Sequence, residues 1–91
     1  MKINLVSKSL LTGLSYMIIQ KYEECDLNGI AGEIIDYLKI DIEKLTDTDK
    51  RNFKQRLRTT LNNLTKSGLI EKIPTKSAIY KNYIIYKLIK L

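Results

Sequence analysis

Few residues in this chain are equipped for covalent chemistry. It has no histidine and one cysteine, Cys25. The usual general base is therefore missing, and Cys25 has no imidazole to take its proton. The Cys and His clusters that hold structural zinc are missing as well, and a single cysteine closes no intramolecular disulfide. Asp47 and Asp49 are spaced like a carboxylate pair, but two acids at a helix start are explained by the positive end of the helix dipole. There is no glycine-rich phosphate loop. The expectation is a protein that is not an enzyme and holds neither metal nor cofactor, with Cys25 a small buried side chain near a helix end.

The chemistry on offer is hydrogen bonding and positive charge, gathered on one helix. At about 100° per residue, with Leu57 at zero, Phe53, Thr60, Leu61 and Leu64 fall within about 60° of it. The opposite face carries Arg51, Gln55, Thr59, Asn62 and Lys66, with Arg58 on its flank. From residue 50 to residue 70 six positions are Lys or Arg and none is acidic. A merely solvated helix face mixes both signs, because i,i+4 ion pairs stabilise it. The whole chain repeats the asymmetry. Residues 1–49 carry five lysines and nine carboxylates, a net of −4, whereas residues 50–91 carry eleven cations against Glu71 alone, a net of +10. Confining the positive charge to one half points to a polyanionic partner for that half, and a basic stripe is the footprint of nucleic-acid binding.

Around that helix the sequence must supply a scaffold. Ninety-one residues suit one domain, 1–91, whose core spans about 9–88. The first periodic segment, 9–24, repeats Leu11, Leu14, Ile18 and Tyr22 at helical spacing, with Ser9 or Ser7 as N-cap. Ile3 and Leu5 before it read as a short strand or as an arm against a partner subunit. Asp26, Asn28 and Gly29 break the pattern, and Asn28 caps a second helix with Ile30, Ala31, Ile34, Ile35 and Leu38 as its buried stripe. Residues 41–45 are ambiguous between a loop and one further turn. Thr46 and Asp49 form a T-x-x-D start for the third helix, 47–67, and Gly68 takes the left-handed position just past its end. Residues 69–73 read as a strand, 74–77 as a turn, and the Ile- and Tyr-rich tail 79–91 as the returning strand of a β-hairpin, with a C-terminal helix from about Tyr83 as the competing reading.

The segment R-L-R-T-T-L-N-N-L-T-K-S-G-L-I-E-K, residues 56–72, resembles the recognition helix and wing strand of winged helix-turn-helix regulators. Leu57, Leu61 and Leu64 stand eleven, seven and four positions before Gly68, and Leu69 and Ile70 follow. N-G-I-A-G-E-I-I-D-Y-L, residues 28–38, is similar to the family's second helix. The resemblance implies a mainly α fold with a small β-hairpin (α+β), three helices plus a wing, and a double-stranded DNA partner. It also implies base contacts from the N-terminal half of the third helix, which by position are Gln55, Arg56, Arg58 and Thr59, with Arg51 and Asn62 in reach. Arg suits guanine O6/N7, and Gln or Asn suits adenine N6/N7. Lys54 and Lys66, with Lys76 and Lys81 of the wing, are placed for phosphates, and Tyr80 adds a phosphate hydrogen bond. Tyr83 and Tyr86 read as packing residues. Small members of the family pair through terminal elements, which makes a homodimer through Ile3, Leu5 and residues 84–91 an expectation here. The connection 39–46 is longer than the family's tight turn, which shifts attention to Arg51.

Two other classes fit the same scaffold. A winged-helix adaptor would bind an acidic protein surface, but it should carry apolar anchors on the outer face of the third helix. A DNA binder for replication or plasmid maintenance would use the same residues as a transcriptional regulator. Membrane anchoring fits poorly, since the Leu stripe is narrow and the longest uncharged run, 9–20 broken by no charge, is too short to span a bilayer. No apolar leader follows Lys2, so a cytoplasmic, DNA-associated protein is expected, and no ligand-binding domain for a small molecule fits in this length.

Overall fold

In the computed structural model, residues 3–75 and 83–90 are described, the side chains of Asn4 and Tyr83 aside. Three helices and a small three-stranded antiparallel sheet make up the chain: α1 (Lys8–Tyr22), β1 (Glu24–Asp26), α2 (Leu27–Tyr37), α3 (Asp47–Lys66), β2 (Ile70–Thr75) and β3 (Tyr83–Leu88). Short 3-10 turns at Ile3–Leu5 and Ile42–Lys44 precede α1 and α3. This is the α+β composition expected from the sequence.

Each helix starts where a side chain can accept from a free N–H. The Ser7 hydroxyl accepts from Leu10 N at 3.1 Å, so Ser7 is the cap of α1 and Ser9 lies inside the helix. At α2 the cap is Asp26, whose carboxylate accepts from Gly29 N at 2.8 Å. Asn28, the expected cap, is the second residue of the helix. Its shift by two residues follows from β1, which holds residues 24–26 extended and leaves Asp26 as the last non-helical position. The contact is close: a Cβ on Gly29 would lie 2.7 Å from Cys25 Sγ and 2.8 Å from Asp26 Oδ1. At α3 the reciprocal capping box forms, with Asp49 N donating to Thr46 Oγ1 at 3.0 Å and Thr46 N donating to Asp49 Oδ2 at 3.2 Å. The helix ends at Lys66, and Gly68 has φ +79°, the left-handed value anticipated for it.

The sheet has the order β1-β3-β2. β3 is its centre, pairing Cys25 with Tyr86 on one side and Lys72 with Tyr86 on the other. Residues 83–88 are thus a strand, and a helix starting at Tyr83 is excluded. Two expectations need correcting. Residues 24–26, expected as the end of the first helix and the break after it, are a strand, and Pro74 and Thr75, expected in a turn, belong to β2 with partners Ile84 and Tyr83. Pro74 is tolerated there because β2 is an edge strand, where one missing N–H need not cost a ladder bond.

The core lies between the helices and the inner face of the sheet. Leu11, Leu14, Ile18 and Ile19 of α1, Ile30, Ala31 and Ile34 of α2, and Phe53, Leu57, Leu61 and Leu64 of α3 meet Ile70 and Tyr86 of the sheet. Ile3 and Val6 close one end, and Ile84 and Leu88 pack against the same cluster. Of the terminal apolar residues expected at a dimer interface, Ile3, Ile84, Tyr86 and Leu88 serve the chain's own core, whereas Leu5 is 73% exposed. The long connection between α2 and α3 is pinned by buried Ile40 and half-buried Leu45. Ser15 and Thr60 are buried, and each donates its hydroxyl to the carbonyl one turn back, so neither leaves a polar group unpaired.

Candidate nucleic-acid interface

α3 is 20 residues long, so at about 1.5 Å per residue it extends roughly 30 Å. Its apolar stripe is sunk against α1 and α2, which fixes what faces outward. Arg51, Lys54, Gln55, Arg58, Thr59 and Lys66 are exposed, and Asn62 is half-buried at the edge of the same surface. Asn52 and Asn63 are exposed as well. Their amides were visible in the helical pattern, at about 140° and 120° from Leu57, but they sit on the flank away from Arg58. Among the described residues, no carboxylate forms an ion pair with any cation of α3. The ion pair that is present among them joins Lys90, just past β3, to Glu23, just past α1, at 2.8 Å.

Arg56 stands at the edge of this surface, in one groove with Gln55 and Thr59. Its guanidinium turns back and donates to the main-chain carbonyl of Val6, joining α3 to the chain segment before α1. It is half-buried and lines a shallow groove of about 280 Å³ with Lys8, Leu11 and Thr60. Lying about 100° from the centre of the apolar stripe, it is a boundary residue, and boundary arginines bury their stems while the head finds a partner. A base contact from Arg56 would have to be made by a guanidinium already held on the Val6 carbonyl.

The opposite boundary carries Arg58 and Lys54. These two line a cleft of about 320 Å³ with Asp26, Leu27 and Asn28 at the start of α2 and with Ile84 and Tyr86 of β3. Burial pushes the Tyr86 phenol above its ordinary pKa, and the nearby Arg58 charge acts in the other direction. Arg58 Nη1 also donates to Gln55 Oε1 at 3.0 Å. Thr59 donates its hydroxyl to the Gln55 carbonyl at 3.1 Å, which leaves its oxygen only as an acceptor. Gln55 and Thr59 share the groove with Lys8 of α1, so the cationic surface extends past α3 onto the first turn of α1. Nothing in the helical pattern of α3 alone signals that addition.

The two acids at the helix start limit the surface. Asp47 and Asp49 occupy the first turn, where their charge offsets the dipole that would otherwise attract phosphate. The positive face begins one turn later, at Arg51. Lys76, Tyr80 and Lys81, expected on the wing, lie outside the described residues.

Cys25 is half-buried beside the α2 cap. Burial raises its thiol pKa and the neighbouring Asp26 charge adds to the rise, which is the reverse of what activates a nucleophilic cysteine. Among the described residues there is no group of three or more His, Cys, Asp or Glu side chains placed to hold a metal ion. No helix among them is long and apolar enough to cross a membrane. No protein-family model matches the chain, and no characterised protein and no solved structure matches it.

Proposed function

We propose that this protein binds double-stranded DNA, with α3 in the major groove and the chain acting as a small sequence-specific regulator. The observation that carries the reading is the outer face of α3: a run of Arg, Lys and amide side chains with no carboxylate from residue 50 to residue 70. An α-helix fits the major groove, where every base pair has its own pattern of donors and acceptors. Three helices and an antiparallel β2–β3 pair are compatible with a winged-helix layout, in which β2 and β3 belong to the wing. In this reading Arg51, Gln55, Thr59 and Asn62 reach bases together with Arg58. Lys54 and Lys66 contact phosphates, as does Lys8, which sets orientation without reading sequence. A homodimer would place two copies of α3 one DNA turn apart, roughly 34 Å. An adaptor role is less well served, because the outer face of α3 offers none of the large apolar anchors that dominate protein interfaces.

The test is the salt dependence of binding to a mixed-sequence duplex. Each phosphate contact contributes about 0.9 to the slope of log affinity against log salt, so the three lysines named predict a slope steeper than about −2.5. A flat dependence between low and physiological salt would remove DNA binding as the main role and favour the adaptor.

A further inference from the structure

We infer that the duplex bound by α3 carries A·T pairs at the centre of the contacted stretch, with Gln55 the residue that determines adenine and Arg58 the residue that positions it. The inference rests on the DNA-binding reading above. An unrestrained glutamine amide turns over freely and presents either its oxygen or its nitrogen. Here Arg58 Nη1 donates to Gln55 Oε1 at 3.0 Å, and a guanidinium has only donors, so it accepts one amide orientation and rejects the other. The amide held this way keeps one lone pair on Oε1 and both Nε2 hydrogens. Adenine's major-groove edge presents the complement, an N6 donor beside an N7 acceptor. Guanine presents two acceptors, which sets O6 against the fixed Oε1.

One turn further on, Thr59 points the same way. Its hydroxyl hydrogen goes to the Gln55 carbonyl at 3.1 Å, so what remains for a base is a methyl group and a lone pair, and the methyl suits the thymine 5-methyl group. Four residues separate Gln55 from Thr59, about 6 Å along the helix, which spans between one and two base steps of about 3.4 Å. Guanidinium groups, which would favour guanine, each have a donor engaged at this level of the helix. Arg56 is bound to the Val6 carbonyl and Arg58 to Gln55. Arg51 is a full turn earlier, and Asn62, about two turns later on the same face, is again an amide.

Selection of bound duplexes from a random pool by the full chain, followed by competition binding of single-base variants, tests this. At the position contacted by Gln55, adenine should be preferred over guanine by about 5- to 150-fold, the range of one good bidentate contact. Gln55→Glu should move the preference at that position to cytosine, since a carboxylate only accepts and cytosine N4 donates. Arg58→Ala should reduce the adenine-to-guanine ratio at that same position by about threefold or more, and Arg58→Lys should restore part of it. The ratio cancels any uniform loss of phosphate affinity, so a purely electrostatic or structural role for Arg58 would leave it unmoved. Tight, salt-dependent binding with guanine opposite Gln55, or an unchanged ratio in Arg58→Ala, overturns this inference and leaves DNA binding standing. Absence of salt-dependent duplex binding overturns both.

Discussion

Replacing Arg56 with alanine separates the two roles open to it, reading a base and fastening the fold. The guanidinium donates to the carbonyl of Val6, a residue 1% exposed, fifty positions earlier in the chain. A hydrogen bond from a charged donor to a part-buried acceptor contributes about 1.5–3 kcal/mol, and its loss leaves that carbonyl without its partner. The stem lies half-buried in the groove with Leu11 and Thr60. The two methylenes lost beyond Cβ, at about 0.8 kcal/mol each and half covered, add about 1 kcal/mol. Arg56→Ala should therefore cost about 2.5–4 kcal/mol, or a fall in Tm of roughly 10–30 °C for a domain of this size. Arg56→Lys keeps the stem and one donor and should lose about half as much. Urea unfolding followed by circular dichroism measures the change, and an unaltered m-value shows that the folded state still buries the same surface. Base preference, measured at 10 °C so that the variant stays folded, should match that of the parent. Destabilisation below about 0.5 kcal/mol, together with loss of preference at one base position, would refute the reasoning and make Arg56 a reader.

The cap of α2 gives a second check: Asp26→Ala should cost about 1 kcal/mol in the same unfolding assay, whereas Asn28→Ala should change stability by less than about 0.5 kcal/mol. Leu61, fully buried in α3, should cost about 2–5 kcal/mol when cut to alanine, with base preference unchanged below the lowered transition. Lys90 holds the Glu23 carboxyl below its ordinary pKa, through its hydrogen bond first and its charge second. Because the folded value is the lower one, whatever the pair contributes is present above the ordinary glutamate range and lost as pH falls through the depressed value. Both ends are exposed, so the effect on stability is small. An NMR titration of the Glu23 carboxyl should show the depressed midpoint, and Lys90→Ala should raise it.

The helices were legible because each carries its own instructions. Leu57, Leu61 and Leu64 fix the buried side of α3, Thr46 and Asp49 its start, and Gly68 its end, all within one stretch of chain. β1 was illegible for the opposite reason. Three residues, Glu-Cys-Asp, have no periodicity to read and little strand propensity; they are extended because β3, some sixty residues later, supplies the ladder. Once that pairing exists, Asp26 rather than Asn28 becomes the residue at the helix boundary. A long-range contact thus moved a local cap. Pro74 is a similar case, since proline reads locally as a turn and is accommodated in β2 by the sheet edge.

The candidate interface divides along the same line. Helical spacing was enough to assign an outward face to α3, because it depends only on which residues its own apolar stripe buries. It was not enough to assign roles at the two boundaries of that face, about 100° either side of Leu57, where Arg56 and Arg58 are mirror images in the pattern. Their difference comes from the neighbours. The segment before α1 offers Arg56 an unpaired main-chain carbonyl at Val6, whereas Arg58 meets the open cleft at the start of α2 and finds Gln55 on its own helix. One arginine is thereby tied into the scaffold, and the other is left outward with its geometry set by an amide. A basic count for the helix treats them alike; the carbonyl of one buried valine is what tells them apart.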